Sequence, residues 1–124
     1  MKKIIVLITL AAFIGCKKEK SEPTQKVFIR AYSLQSSFSV AFVNEDHNTE
    51  NFTDNIKTGN TYDKVITINK ASAKFGNVLI ENIDITPEED SLYLEVISEG
   101  KRASSSRRFF GGKTSLTVQL IQLK

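Results

Sequence analysis

Residues 37–42 read Ser-Phe-Ser-Val-Ala-Phe, so that large apolar side chains alternate with serine and alanine. Successive side chains of a β-strand point to opposite faces, and this period of two therefore predicts a strand with one buried face. The same alternation returns in residues 92–97, Leu-Tyr-Leu-Glu-Val-Ile, and in residues 116–119, Leu-Thr-Val-Gln. The pattern is typical of antiparallel sheets that are packed on one side.

Further strand candidates cover most of the chain after Lys26. They number about seven and are separated by turn residues every ~8–12 positions. This pattern predicts an all-β fold in which residues 26–124 form a single antiparallel β-sandwich of Ig-like type. The sequence has no Trp, so the Cys…Trp…Cys pattern of immunoglobulin domains is absent. The predicted core consists of Phe38, Val40, Phe42, Ile66, Ile68, Leu92, Leu94, Val96, Leu116 and Val118.

The connections between strands carry their own signals. Glu99-Gly100 fits a two-residue hairpin turn, and residues 34–37 supply another tight turn. The serine-rich strand at residues 101–110 is weak in apolar residues and is predicted to lie at a sheet edge. Residues 44–60 are almost entirely polar and are the longest loop candidate, and long ordered loops are often functional.

The first sixteen residues carry the most informative motif. Two lysines follow Met1, residues 4–15 form an apolar run, and Gly15 precedes Cys16, the only cysteine. The run is shorter than the ~20 apolar residues that a membrane-spanning helix needs. It has the length of the apolar region of a secretory signal, and a small residue stands before the expected cleavage point.

This layout resembles a bacterial lipoprotein signal peptide, whose lipobox ends in cysteine, here Phe-Ile-Gly-Cys at residues 13–16. The resemblance implies removal of residues 1–15 and acylation of Cys16, by a diacylglycerol thioether and usually a third acyl chain. It places the protein in the bacterial cell envelope, anchored to the outer membrane and facing the periplasm or the cell surface. The alternative is an ordinary secreted protein with a free thiol, which an oxidising compartment disfavours.

The composition of the chain without residues 1–15 limits the classes of partner that are expected. Residues 16–25 are polar and are predicted to form the lipidated cysteine and a disordered tether. Without Lys2 and Lys3, the 17 basic residues fall to 15 against 14 acidic ones, so the charge is nearly balanced. A nucleic-acid partner is not expected, because such proteins carry a strongly basic face.

The sequence offers little for catalysis. His47 is the only histidine, and it lies near Asp54 in the 44–60 segment. Neither an EF-hand spacing nor a zinc-ligand pair is present, so we predict no metal site, no cofactor and no catalytic set. The short pattern Asp90-Ser91-Leu92 resembles one used for periplasmic O-glycosylation in some Gram-negative groups.

Four cations flank a serine run and form the most suggestive surface feature: Lys101, Arg102, Arg107 and Arg108. Arginines bind phosphate and carboxylate groups, so this strand is a candidate anion-binding site for lipopolysaccharide or an acidic glycan. A second interpretation is protection of an exposed edge, since charged side chains prevent edge-to-edge aggregation. Alternation would send two of the cations to each face, which favours the protective role.

We therefore expect a small membrane-anchored envelope lipoprotein whose sandwich is a non-catalytic binding or structural module. Its partners would be the membrane, through lipidated Cys16, and an envelope protein or an acidic glycan. One alternative is a glycan- or metal-binding accessory lipoprotein that uses the 44–60 loop. Another is a hydrolase, in which His47 would have to serve as the base.

Overall fold

The computed structural model describes residues 23–46, 48–84 and 88–124. Within these ranges the chain forms eight strands and three short 3-10 helices. The strands are β1 (Thr24–Ser33), β2 (Phe38–Asn44), β3 (Phe52–Ile56), β4 (Tyr62–Asn69), β5 (Gly76–Asn82), β6 (Glu89–Ser98), β7 (Lys101–Phe110) and β8 (Ser115–Gln119). The 3-10 helices are Asn48–Glu50, Ala73–Phe75 and Leu120–Gln122.

The strands form two four-stranded sheets that pack face to face. The first sheet has the order β4-β1-β6-β7, and the second has the order β3-β2-β5-β8. Every neighbouring pair is antiparallel. The predicted antiparallel β-sandwich is thus confirmed, with eight strands in place of about seven.

The core lies between the two sheets and follows the predicted alternation. Nine of the ten predicted core residues are buried, with at most 4% of their surface exposed. The tenth, Ile66, is half-buried because it lies on β4, at the edge of the first sheet, where it still packs against the core. The inward positions of β1, Val27, Ile29 and Ala31, are completely buried as well.

Gly76 allows the second sheet to pack closely against Leu120, which follows β8. A Cβ atom at this position would lie 2.8 Å from Cζ of Phe42 and 2.9 Å from Cδ1 of Leu120. Contacts that short force neighbouring groups to move, so only glycine fits here without displacing the Phe42 ring. Phe42 also stacks on Phe52 of β3, with ring centroids 6.2 Å apart.

The prediction of one long loop over residues 44–60 was wrong. Its second half contains β3, which pairs with β2 so that Phe42 lies opposite Phe52 and Val40 lies opposite Asp54. The inward positions of β3 are only half-buried because the strand lies at a sheet edge. An aspartate in the middle of that inward face breaks the apolar alternation, which is why the sequence did not indicate a strand.

The hairpin between β6 and β7 is confirmed. Glu99 has φ 54° and Gly100 has φ 75°, the left-handed values that a two-residue turn of this type needs at both positions. The turn joins Ser98 to Lys101, and the register continues unbroken to Glu89 opposite Phe110. Among the strands of the described residues, β7 has β6 as its only neighbour in the sheet, so the predicted edge position is also confirmed.

The N-terminal boundary of the domain lies slightly before the predicted residue 26. β1 begins at Thr24, which pairs with Asn69, and the carbonyl of Pro23 accepts a hydrogen bond from the backbone N–H of Lys70 at 2.9 Å. The strand therefore includes the last two residues of the range predicted as a tether. Residues 16–22, including Cys16, lie outside the described residues.

The turn at residues 34–37 carries the chain from the first sheet to the second, and a buried carboxylate holds it. Asp90 is fully buried and accepts hydrogen bonds from the backbone N–H of Gln35 at 2.8 Å and of Ser91 at 2.7 Å. The hydroxyl of Ser33 donates to the same carboxylate at 3.3 Å. This network joins the start of β6 to the end of β1, two strands that are neighbours in the sheet but far apart in sequence.

Candidate functional site

The outer face of the first sheet carries the most distinctive surface of the domain. Because Ala31 and Leu94 point inward, the alternation sends Tyr32 of β1 and Tyr93 of β6 outward, where the register places them directly opposite each other. Their rings stack with centroids 5.0 Å apart and an interplanar angle of 25°. Such a pair is rigid and only partly covered, and tyrosine is enriched at binding surfaces for these reasons.

An apolar row lies beside the tyrosine pair. Val65, Phe28 and Ile97 stand next to one another on β4, β1 and β6. Val65 is 53% exposed. Arg30 lies between this row and the tyrosines, with its guanidinium carbon 5.9 Å from the centroid of the Phe28 ring. Aromatic and branched side chains thus extend over three strands, and a patch of this kind commonly marks an interaction site.

Beside Tyr93 the same face opens into a trough. The register places Ser106 of β7 opposite Tyr93, and this small side chain leaves the space next to the ring unfilled. The trough has a volume of about 460 Å³ and is lined by Tyr32, Ser91, Leu92, Tyr93, Ser106, Arg107 and Arg108. On the outer face it therefore combines aromatic rings, serine hydroxyls and the guanidinium group of Arg108 within one open depression.

The four predicted anion-binding cations divide into two pairs. Arg102 and Arg108 lie on the outer face and form ion pairs with carboxylates of β6, Glu95 at 3.4 Å and Glu89. Lys101 and Arg107 lie on the opposite face of the strand and form no ion pair with any described residue. The cations are therefore not one cluster, and their binding to an anion stays a prediction.

Nearby groups shift the pKa values of two side chains on the outer face of the first sheet, Tyr93 and Arg30. Partial burial raises the pKa of the Tyr93 hydroxyl, and the nearby Glu95 carboxylate adds to the shift. Tyr93 thus remains protonated, and its hydroxyl is a hydrogen-bond donor, over the physiological pH range. A hydrogen bond to Asp63, 2.7 Å from Nε, raises the pKa of Arg30 and keeps its side chain in place beside the apolar row.

The outer face of the second sheet is different. Its three central rows carry mainly small or uncharged polar side chains, such as Ala41 beside Thr53, and Ser39 beside Asn55. Leu79 and Thr117 continue the first of these rows across the sheet. Among the outward positions of its four strands there is no aromatic residue. The two faces of the sandwich thus differ in chemistry, and the aromatic one is the candidate binding face.

Two further hollows, of about 560 and 550 Å³, lie at the opposite end of the strands. The first is lined mostly by charged and amide side chains, together with the exposed rings and chains of Phe75 and Ile121. The second contains Lys70 and Glu99, which form an ion pair at 2.8 Å. Neither hollow has a stacked aromatic pair, and we therefore do not place the binding site there.

Two acidic residues of the 44–60 segment, Glu50 and Asp54, form hydrogen bonds within the fold. Glu50 accepts a hydrogen bond from the backbone N–H of Asn69 at 2.6 Å. Asp54 accepts one from the Tyr62 hydroxyl at 2.6 Å and one from Nζ of Lys64 at 3.1 Å. Both bonds lower the pKa of Asp54, and the bond from Tyr62 has the larger effect. Burial, and to a lesser degree the hydrogen bond to Asp54, raises the pKa of Tyr62. Asp54 thus links the two sheets at their edge strands.

The metal and hydrolase alternatives depend on a segment that the structure describes only in part. Within residues 23–46, 48–84 and 88–124 no three His, Cys, Asp or Glu side chains converge as metal ligands. His47 lies outside these ranges, and the hydrolase alternative stays a prediction. Glycosylation of Ser91 also stays a prediction; Ser91 lies in the trough, whereas the preceding Asp90 is fully buried.

The candidate site was missed by sequence reasoning, although part of its signal was there. Phe28, Tyr32 and Tyr93 stand at positions out of phase with the buried alternation, which marks them as outward-facing aromatics. Their convergence on one face depends on β1 and β6 being neighbours, and no turn joins those strands.

None of the helices in the described part of the chain has the length and apolar character needed to cross a membrane.

Comparisons with known proteins give no relative from which a function could be transferred. No protein-family model matches the chain, and neither a curated protein nor a solved structure is significantly similar to it.

Proposed function

We propose that this chain is a lipid-anchored protein of the bacterial envelope whose sandwich is a non-catalytic binding module for an acidic glycan. The observation that carries the proposal is the trough beside Tyr93, where an aromatic ring, two serine hydroxyls and Arg108 line one depression. The site needs no reaction chemistry, and its residue types are those that recognise a saccharide bearing carboxylate or phosphate groups.

Each part of the trough matches one part of such a ligand. The C–H face of a sugar ring carries partial positive charge and packs against the electron-rich face of a tyrosine ring. Ser91 and Ser106 provide hydroxyls that both donate and accept hydrogen bonds, as sugar hydroxyls require. Arg108 lies on the outer face with the tyrosine and the serines, and its exposed ion pair with Glu89 can be exchanged for an acidic group of the ligand.

The position of the trough suits a protein tethered by its N-terminus. The described chain enters the first sheet at Thr24, and Tyr32 lies eight residues further along the same strand. At ~3.3 Å per residue the trough is therefore roughly 25 Å from the point where the tether joins the domain. An anchor at Cys16 would then leave the trough at the end of the first sheet that is remote from the tether and accessible to glycans of the envelope.

The binding test compares acidic with neutral oligosaccharides on the full chain in detergent. We expect uronate- or phosphate-bearing oligosaccharides to bind, and Tyr93→Ala and Arg108→Gln each to weaken binding at least ~5-fold, since truncating a central interface tyrosine or arginine commonly costs over ~1 kcal/mol. Phe75→Ala and Lys74→Gln, an exposed aromatic and its neighbouring cation at the far end, should leave it unchanged.

Two results would contradict the glycan proposal. One is that the wild-type protein binds no acidic oligosaccharide above its binding of neutral ones. The other is that the far-end pair weakens binding as much as the trough variants do. Thermal melting of every variant shows that any loss comes from the site and not from unfolding.

The anchor has a separate test. We expect mass spectrometry of membrane-extracted protein to find an N-terminal Cys16 that carries acyl chains, and we expect Cys16→Ser to release the protein from the membrane fraction. Two or three acyl chains give stable membrane attachment, whereas one chain gives only marginal binding. Recovery of an intact Met1, or of an unmodified Cys16 in a soluble protein, would refute the anchor.

A further inference from the structure

The free edge of β7 is a second feature that the glycan proposal does not use. In an antiparallel ladder, alternate residues direct their N–H and C=O groups to the partner strand and away from it. Arg102 directs both groups away from β6, because it exchanges hydrogen bonds with Lys124 at 3.1 and 3.3 Å. The backbone groups of Ser104 and Ser106 therefore point to the same open side.

These backbone groups are available to another strand. Both serines are exposed, and no described residue forms a backbone hydrogen bond to their outward groups. All ten residues of β7 pair with β6 in one unbroken register, without a bulge that would twist the edge away. The central residues 103–106 are alanine and serines, so neither proline nor charge blocks the approach of a guest strand. The bridge from Arg102 to Lys124 is already a first strand-like contact on this edge.

The charges on β7 indicate what kind of strand it would accept. Cations stand on either side of the neutral centre, and of these Lys101 and Arg107 lack an ion-pair partner among the described residues. Opposite charges directly across a strand pair are favourable by ~0.2–1 kcal/mol, and like charges are unfavourable. A complementary guest thus has small or β-branched residues in its middle and acidic residues towards its ends.

A second copy of this chain fits less well. Antiparallel pairing of two β7 strands about Ser105 would place Arg102 of each copy opposite Arg108 of the other. The Ala103 position would likewise face Arg107, which has no carboxylate of its own to offset its charge. The like charges at both ends oppose this arrangement, whereas an acidic segment would relieve them.

We propose that the free edge of β7 docks an extended acidic segment of a partner protein, which adds to the first sheet as a fifth strand. Main-chain hydrogen bonds to Ser104 and Ser106 would supply the affinity, and the flanking cations the selectivity for acidic ends. The guest would lie beside the sheet and bind the backbone of Ser106, whereas the glycan trough on the outer face uses the Ser106 hydroxyl and the Tyr93 ring. The two proposals can therefore fail independently.

The experiment selects ligands from a random octapeptide library displayed on phage, with the full chain in detergent as bait. We expect the enriched peptides to carry Asp or Glu towards both ends and β-branched residues between them. Ser106→Pro removes the outward N–H without touching the ladder to β6, and proline is tolerated at such edge positions. We expect this variant to bind synthetic copies of the selected peptides at least ~10-fold more weakly than the wild type does. Ser106→Ala and Tyr93→Ala should change the affinity for these peptides less than ~2-fold.

A second measurement does not depend on the stability of the proline variant. Two forms of a selected peptide are compared, N-methylated at its odd or at its even positions. One form should lose binding and the other should keep it, because only one of the two sets of amides faces β7. The proposal is overturned if no peptide is enriched, if the enriched peptides are basic or proline-rich, or if Ser106→Pro binds as tightly as Ser106→Ala. It is also overturned if the wild-type chain sediments as a dimer that Ser106→Pro dissociates, because the occupant is then a second copy.

Discussion

We expect Phe42→Ala to lower the free energy of unfolding by ~3–5 kcal/mol, the usual cost of removing a buried phenylalanine. Phe42 is completely buried and packs between Gly76 and the ring of Phe52. Its loss leaves a cavity at a point where two strands of the second sheet and the chain after β8 meet. Urea denaturation followed by circular dichroism gives the free energy, and the outward neighbour Val43→Ala serves as the matched control.

The contact with Gly76 makes this prediction sharper. Gly76→Ala alone should cost ~1–3 kcal/mol, because its new methyl group collides with the Phe42 ring. In the Phe42→Ala background the ring is gone, so the same methyl group enters vacated space and its cost should fall. The two changes are then non-additive by more than ~0.5 kcal/mol. A loss below ~1 kcal/mol for Phe42→Ala, or strict additivity with Gly76→Ala, would contradict this packing.

The second large effect is expected at Asp90, where replacement by alanine should lower the free energy of unfolding by ~2–4 kcal/mol. The carboxylate is buried and accepts hydrogen bonds from the backbone N–H groups of Gln35 and Ser91 and from the Ser33 hydroxyl. Alanine leaves these donors without their acceptor beside a position whose side chain is fully buried. Asp90→Asn keeps one carbonyl oxygen of the same shape and should cost less than half as much.

The measurement is again equilibrium denaturation of the two variants. Hydrogen exchange adds a local readout, because the amide proton of Gln35 should exchange faster in Asp90→Ala than in Asp90→Asn. Equal stabilities for the two variants would show that the carboxylate does not hold the turn between the sheets.

The partition of residues between core and surface was readable from the sequence. In Phe38, Val40 and Phe42, and again in Leu92, Leu94 and Val96, the period of two depends only on the geometry of a single strand. One pairing was readable as well, because a two-residue turn such as Glu99-Gly100 brings the strands on either side of it into antiparallel pairing. Where an edge strand placed Asp54 inward, the same rule failed and β3 was taken for a loop.

What the sequence by itself determined is the class of the fold, the inward face of most strands and the signal-like start of the chain that ends at Cys16. Only the tertiary structure decided which strands are neighbours, because an alternating strand can pair equally well with any other. That choice brings Tyr32 against Tyr93 across 61 residues of sequence and closes the trough with Ser106 and Arg108. It also buries Asp90 and leaves the outward amides of β7 open, since hydrogen bonding and burial depend on contacts between distant segments.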